Sequence, residues 1–134
     1  MTAPALREAA REDTVVIIPL GATEQHGPHL PTQVDWRLAY EVSLRAARLM
    51  HGRQRALVTP AIPFGMSEHH MSLGGTITLN FATMAAVIGC VVRSAARHGF
   101  QRRDVSAMAI EHEDPLEAMT CRRANHAADH RGHR

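Results

Sequence analysis

An uninterrupted β-branched run near the start of the chain, Thr14-Val15-Val16-Ile17-Ile18, closed by Pro19-Leu20-Gly21, constrains the fold more than any other feature. A strand with one wet face alternates apolar and polar residues. A run that is apolar at every position suits a strand covered on both faces, as in a parallel sheet. The Pro and Gly that follow mark the passage from strand to loop. Residues 21–34, immediately after, are dense in Gly, Pro, His and Glu. Loops leaving the carboxyl ends of parallel strands are where open α/β sheets bind their ligands.

The rest of the chain continues the alternation of strands and helices. Residues 1–13, rich in Ala and charge, predict a short helix. Asp35 is a suitable N-cap for a second helix, with Leu38, Val42, Ala46 and Leu49 at helical spacing as its expected buried face. Gly52 supplies a left-handed cap at its end. A second strand is expected over Ala56–Pro60, and an irregular segment over 61–75, turned by Pro63, Gly65, Gly74 and Gly75. Thr76–Leu79 reads as a strand piece, Asn80 as the cap of a helix over roughly 81–98, Gly99 as its stop, and Val105–Ile110 as a third core strand. This order predicts an α/β fold of three layers, α/β/α, with helices on both faces of a mainly parallel sheet.

A chain of 134 residues is bounded to one domain. With only 4% aromatic residues, its core must be built from Ala, Val, Ile, Leu and Met. A net charge of +2 gives no electrostatic footprint for nucleic acid, although all fifteen basic residues are Arg. Cys90 and Cys121 form neither a disulfide framework nor a zinc motif. Cys90, in an apolar helical run, reads as a small core residue. The first ten residues lack a signal-peptide pattern, and the longest apolar stretch, 84–92, is too short to span a bilayer. The expectation is a cytoplasmic protein without a membrane partner. From Cys121 onward almost no large apolar residue occurs, so a domain over 1–120 is expected to be followed by a disordered tail over 121–134.

The chemistry concentrates in Gly21-Ala22-Thr23-Glu24-Gln25-His26-Gly27-Pro28-His29-Leu30-Pro31, followed by Asp35. One imidazole and two carboxylates in a loop shaped by Gly and Pro form a donor set that divalent cations such as zinc and manganese accept. Glu24 and His26 are two residues apart, so in extended backbone both side chains leave on one side. A Glu-x-His pair alone also occurs as a solvated Glu beside a loop-capping His.

The string from Val15 to Asp35 resembles the signature of the creatininase family, in which a strand leads into G-x-x-E-Q-H-G-P-H-L-P and then an Asp nine residues beyond the first His. A second block is similar too: Pro60-Ala61-Ile62-Pro63-Phe64-Gly65-Met66-Ser67-Glu68-His69-His70, then Gly74-Gly75-Thr76-Ile77-Thr78-Leu79. Arg97-His98-Gly99-Phe100 resembles the helix end before the family's next strand. The resemblance implies a metal-dependent amidohydrolase that cleaves a C–N amide bond, of a cyclic amide or formamide, with metal-activated water. It implies two divalent ions (zinc, manganese or iron), with Glu24 on one, His26 on the other and Asp35 bridging them. His70, where the family places a His on the substrate-side loop, is the implied catalytic residue, binding substrate or shuttling a proton. His29 is either an orienting neighbour of a ligand or a surface residue, and Glu68 and His69 carry no implied role.

The resemblance covers roughly residues 14–100 and then departs. Where the family continues with a metal-binding N-G-H, this chain reads Val105-Ser106-Ala107-Met108-Ala109-Ile110-Glu111-His112-Glu113-Asp114. Two readings are open: Glu111, His112, Glu113 or Asp114 replaces the missing ligands, or this acidic cluster is a solvated turn. Family members are about twice this long, so a truncated or frame-shifted product is expected, with metal sites short of the usual four ligands. The alternative to an enzyme is a truncated, non-catalytic protein that binds metal weakly or needs a partner chain, as in a homo-oligomer, because an incomplete sheet exposes an edge.

Overall fold

A computed structural model describes residues 1–107. Helix α1 spans Ala3–Arg11, strand β1 Val15–Leu20, helix α2 Val34–Leu49, strand β2 Ala56–Val58, helix α3 Phe81–Arg97 and strand β3 Arg102–Ala107. A 3-10 turn over Glu68–Leu73 lies between β2 and α3.

The three strands form a parallel sheet in the order β2-β1-β3. On one side β1 runs in register from Val15 opposite Ala56 to Ile17 opposite Val58. On the other it runs from Val15 opposite Arg102 to Leu20 opposite Ala107. The chain thus leaves β1 through α2 to one neighbour, then passes back over β1 through α3 to the other. With right-handed crossovers, this reversal puts the two helices on opposite faces of the sheet. Packing follows that rule: Val16 and Ile18 meet Ala9 of α1, Val91 and Ala95 of α3, and Phe100. Leu20 meets Met84 and Ile88 of α3. Side chains alternate along a strand, so buried Ile17 turns to the opposite face, where α2 lies against the sheet. Covering on both faces is what the unbroken apolar run requires, and the three-layer α/β/α expectation holds.

Local signals account for several boundaries. Asn80 accepts a hydrogen bond from the backbone N–H of Thr83 (2.9 Å) and caps α3. Gly99 closes it at φ +94°, and Gly52 takes φ +84° after α2.

Five expectations are corrected. Asp35 is not the N-cap of α2; Gln33 is, without a side-chain cap bond, and Asp35 sits in the first turn. The buried stripe of α2 is Asp35, Ala39 and Ser43, whereas Leu38, Val42 and Leu49 are exposed. That face packs toward the sheet, and its first turn lies against the loop that follows β1. Cys90 is exposed on α3 rather than in the core. Thr76–Leu79 forms no strand; it makes single bridges, Ile77 with Thr23 and Thr78 with Gly65. The third strand also starts earlier than expected, at Arg102. The acidic cluster at Glu111–Asp114, Cys121 and the tail over 121–134 lie outside the described residues. Among the described residues, no helix is long and apolar enough to cross a membrane.

Candidate metal centre

The centre sits at the carboxyl end of β1, where the chain reverses direction across the sheet, the place in an open α/β sheet where a crevice forms by topology. Two segments are stitched together there. Gly21 donates to the carbonyl of Ile62 (3.2 Å), and Ile62 to that of Pro19 (2.9 Å). The Thr23 hydroxyl donates to the carbonyl of Pro63 (2.6 Å), and the Gln25 N–H to the Thr76 hydroxyl (3.1 Å). Glu24 is held from its own loop, its N–H donating to the carbonyl of Thr32 (2.9 Å). Farther along, the Ser67 N–H donates to the Thr78 hydroxyl (2.9 Å), which fixes the start of the 3-10 turn.

Asp35 reaches this loop because α2 begins almost in contact with it. A methyl group added at Gly21 would lie 2.6 Å from the carbonyl carbon of Asp35 and 2.6 Å from the Cα of Trp36. Only a residue without a side chain allows such an approach.

The result brings together all four residues singled out from sequence. Nε2 of His26 lies 3.0 Å from Oδ1 of Asp35 and 3.7 Å from Oε1 of Glu24. Nε2 of His70 lies 3.9 Å from the same Glu24 oxygen. Glu24 and Asp35 are buried, 7% and 6% exposed, although each carries a carboxyl group. Burial is the main force raising the carboxyl pKa of Asp35; the His26 ring opposes it, and the neighbouring Glu24 charge reinforces it.

Two buried polar atoms here have no hydrogen-bond partner, Nε2 of His26 and Oδ2 of Asp35. His26 and Asp35 thus meet at 3.0 Å as an imidazole–carboxylate pair. Leaving buried polar atoms unsatisfied is costly. An imidazole nitrogen and carboxylate oxygens turned toward one another without a donor between them are acceptors arranged for a cation. Ligand atoms of Glu24, His26 and Asp35 lie within 4.8 Å of one another, so the donor set fits a divalent ion.

Sequence reasoning passed over His69. Its ring packs against that of His70, centroids 4.2 Å apart and tilted by 47°. With Glu24 the two imidazoles form a second group whose ligand atoms lie within 4.8 Å of one another. The adjacent pair His69-His70 was the visible signal, but only the 3-10 turn brings it over Glu24. The resemblance casts Asp35 as the bridge; in the structure the residue common to both groups is Glu24. His29 is exposed and makes no hydrogen bond or ion pair among the described residues.

Comparison with known proteins gives the chain its family. The family profile "Creatininase: Creatinine amidohydrolase" matches residues 1–131. The chain belongs to the creatininase family. Among relatives of this creatininase-family chain, the mycofactocin precursor peptide peptidase of Mycobacterium ulcerans is 42% identical over 86 residues, covering 60% of this chain and 34% of the relative. The creatinine amidohydrolase of Pseudomonas putida is 37% identical over 98 residues, covering 69% and 36%. A creatininase solved in its Mn form superposes with a TM-score of 0.72 at 31% identity, over 78% of this chain and 42% of that one. A variant creatininase of Zn-Zn type gives 0.71 at 32% identity, over 78% and 42%. The chain thus spans about a third of the length of these curated relatives.

Proposed function

We propose that this chain carries the metal-binding part of a creatininase-family hydrolase that cleaves a C–N amide bond with metal-activated water. The observation that supports this most is the convergence of Glu24, His26 and Asp35 around two buried acceptor atoms that lack partners. As the resemblance implies, Glu24 would hold one divalent ion (zinc, manganese or iron) and His26 a second, with Asp35 shared between them. A divalent ion bound there supplies Lewis-acid polarisation of a carbonyl and a water that loses its proton near neutral pH.

The chain's own groups do the rest. Glu24 and Asp35 contribute negative charge, and His26 presents Nε2, which requires its ring proton on Nδ1. His70, its side chain 30% exposed and facing Glu24, stands on the solvent side of the cluster. There it binds the substrate or carries a proton between the attacking water and the leaving nitrogen, through one intervening water. The substrate class we favour is a small cyclic amide or formamide. Kinship with a peptidase makes a peptide bond the competing outcome. A cytoplasmic setting completes the proposal.

The test is to purify the chain, load it with Zn²⁺ or Mn²⁺, remove free ions by gel filtration and measure retained metal by mass spectrometry. Parallel assays of cyclic amides, formamides and short peptides decide the substrate class. Absence of retained metal in the chain sinks the reading. A second reading is that the chain binds metal weakly and acts only with a partner chain or a second copy, because the Glu24–His26–Asp35 set brings three ligand residues where four are usual. Size-exclusion chromatography with light scattering separates the two, because a monomer with amide hydrolysis excludes the second.

A further inference from the structure

We propose that the outer edge of β2, together with the adjoining end of α2, docks an extended acidic segment of a partner polypeptide as an added strand. A groove of about 440 Å³ runs along this edge. Leu44, Ala47, Arg48 and His51 form one wall, at the i, i+3, i+4, i+7 spacing of a single helix face. Ala56 and Val58 of β2 form the other. Asp35 lies in the first turn of α2 and Arg48 in its last, so roughly 20 Å of helix separates the groove from the candidate metal centre.

The backbone of β2 makes this edge receptive. The N–H of Val15 donates to the carbonyl of Arg55 (2.9 Å), and that of Thr59 to the carbonyl of Ile17 (3.0 Å). Successive residues of a strand alternate in the side to which their main-chain groups point, so residues 55, 57 and 59 face β1. The N–H and C=O groups of Ala56 and Val58 face outward, and β2 has no neighbour on that side among the described residues. Extended peptides add to such edges through main-chain hydrogen bonds and draw specificity from alternate side chains.

Charge selects the occupant. Arg48 is permanently cationic and His51 offers a ring N–H; both are exposed, and no carboxylate lines the groove. Arg48 forms no ion pair among the described residues, whereas Arg55 already holds Glu12. A second copy joined at the same edge about a two-fold axis would bring each Arg48 toward its counterpart, and like charges oppose that pairing. An acidic strand has the opposite effect. Side chains two residues apart on a strand are about 7 Å apart, close to the rise of about 6 Å from Leu44 to Arg48. The occupant therefore carries an apolar residue for Leu44 and Ala47, and a carboxylate two residues away for Arg48.

The probe is a capped heptapeptide, Thr-Val-Thr-Glu-Thr-Glu-Thr, titrated into the isotope-labelled full chain and followed by NMR. The expected signature is saturable shifts of the Ala56 and Val58 amides, with affinity at least about tenfold above that of the peptide with Gln in place of both Glu. Arg48→Gln, at an exposed position, should lose that preference while Tm is unchanged. A fully N-methylated peptide, unable to donate to the edge, should not bind. Equal affinity for the Gln or N-methylated peptide, an undiminished preference in Arg48→Gln, or no shift at millimolar peptide overturns the proposal. So does concentration-dependent self-association that the peptide displaces, which gives the edge to a second copy. Tighter binding of residues 108–116, made as a peptide, gives it to the chain's own acidic stretch and overturns the proposal as well.

Discussion

Nε2 of His70 stands 3.9 Å from Oε1 of Glu24, although the two come from different loops, one following β1 and the other preceding α3. His26 approaches the same oxygen from its own loop at 3.7 Å. A buried carboxylate flanked by two imidazoles is a site whose properties follow the presence of a cation, and this leads to several measurements.

Metal should stabilise the fold. A ligand that binds only the native state at about 100 times its Kd adds about 2.7 kcal/mol, which corresponds to a Tm increase of roughly 10 °C for a domain this size. Differential scanning fluorimetry of chelator-treated chain, with and without Zn²⁺, reads it directly. An unchanged Tm at saturating Zn²⁺ counts against a cation at the partnerless atoms His26 Nε2 and Asp35 Oδ2.

Asp35 should trade stability against binding. Burial raises its carboxyl pKa in the folded state above the ordinary carboxylate value. Between those two values the native state binds more protons than the unfolded one, so stability falls as pH rises through that window and stays low at neutral pH. We predict that the metal-free chain gains stability when acidified through the raised pKa of Asp35. Asp35→Asn should flatten that part of the profile, raise the neutral-pH Tm of the metal-free chain and reduce metal retention. Urea unfolding at a series of pH values checks the sign; a variant less stable than wild type at neutral pH contradicts it.

Gly21→Ala should act on the site without touching a ligand. The added methyl overlaps the backbone at Asp35 and Trp36, and such overpacking costs about 1–3 kcal/mol. Because the methyl meets backbone rather than a flexible side chain, α2 must move and carry Asp35 with it. Metal affinity should drop together with stability, whereas Asn80→Ala, which removes the cap of α3, should cost about 1 kcal/mol and leave affinity unchanged. Equal affinity in the two variants would argue against the positioning role of Gly21.

The two faces of the sheet set the last pair. Ile18 is fully buried, and Ile18→Ala should cost about 3 kcal/mol. Val42, 49% exposed on α2, should tolerate Ala within about 0.5 kcal/mol. Chemical denaturation of both variants measures the contrast, and a large loss at Val42 would mean that its face is covered.

That contrast also shows what the sequence could and could not convey. Val15–Leu20 was legible because a strand apolar at every position has one stable environment, between two layers. Asn80 was legible because an Asn ahead of an apolar helical run has a specific backbone donor to satisfy. The phase of α2 was not: Leu38-Val42-Leu49 and Asp35-Ala39-Ser43 are two stripes of similar period, and hydrophobicity alone favours the wrong one. What decided it was non-local: α2 packs on the sheet and begins against the loop at Gly21, where the backbone of Asp35 and Trp36 comes close. For the same reason the residues at 24, 26, 35 and 70 were legible through their resemblance to a family, while His69 depended on a 3-10 turn that no propensity marked.

Strand order has a consequence for how such a protein grows. Within the described residues β1 is enclosed by neighbours on both sides, while β2 and β3 each pair on one side only. Any further strand, from a longer sequence or from another chain, must therefore join at the periphery. The reversal point at β1, with its carboxylates and imidazoles, stays in the middle of whatever is assembled around it.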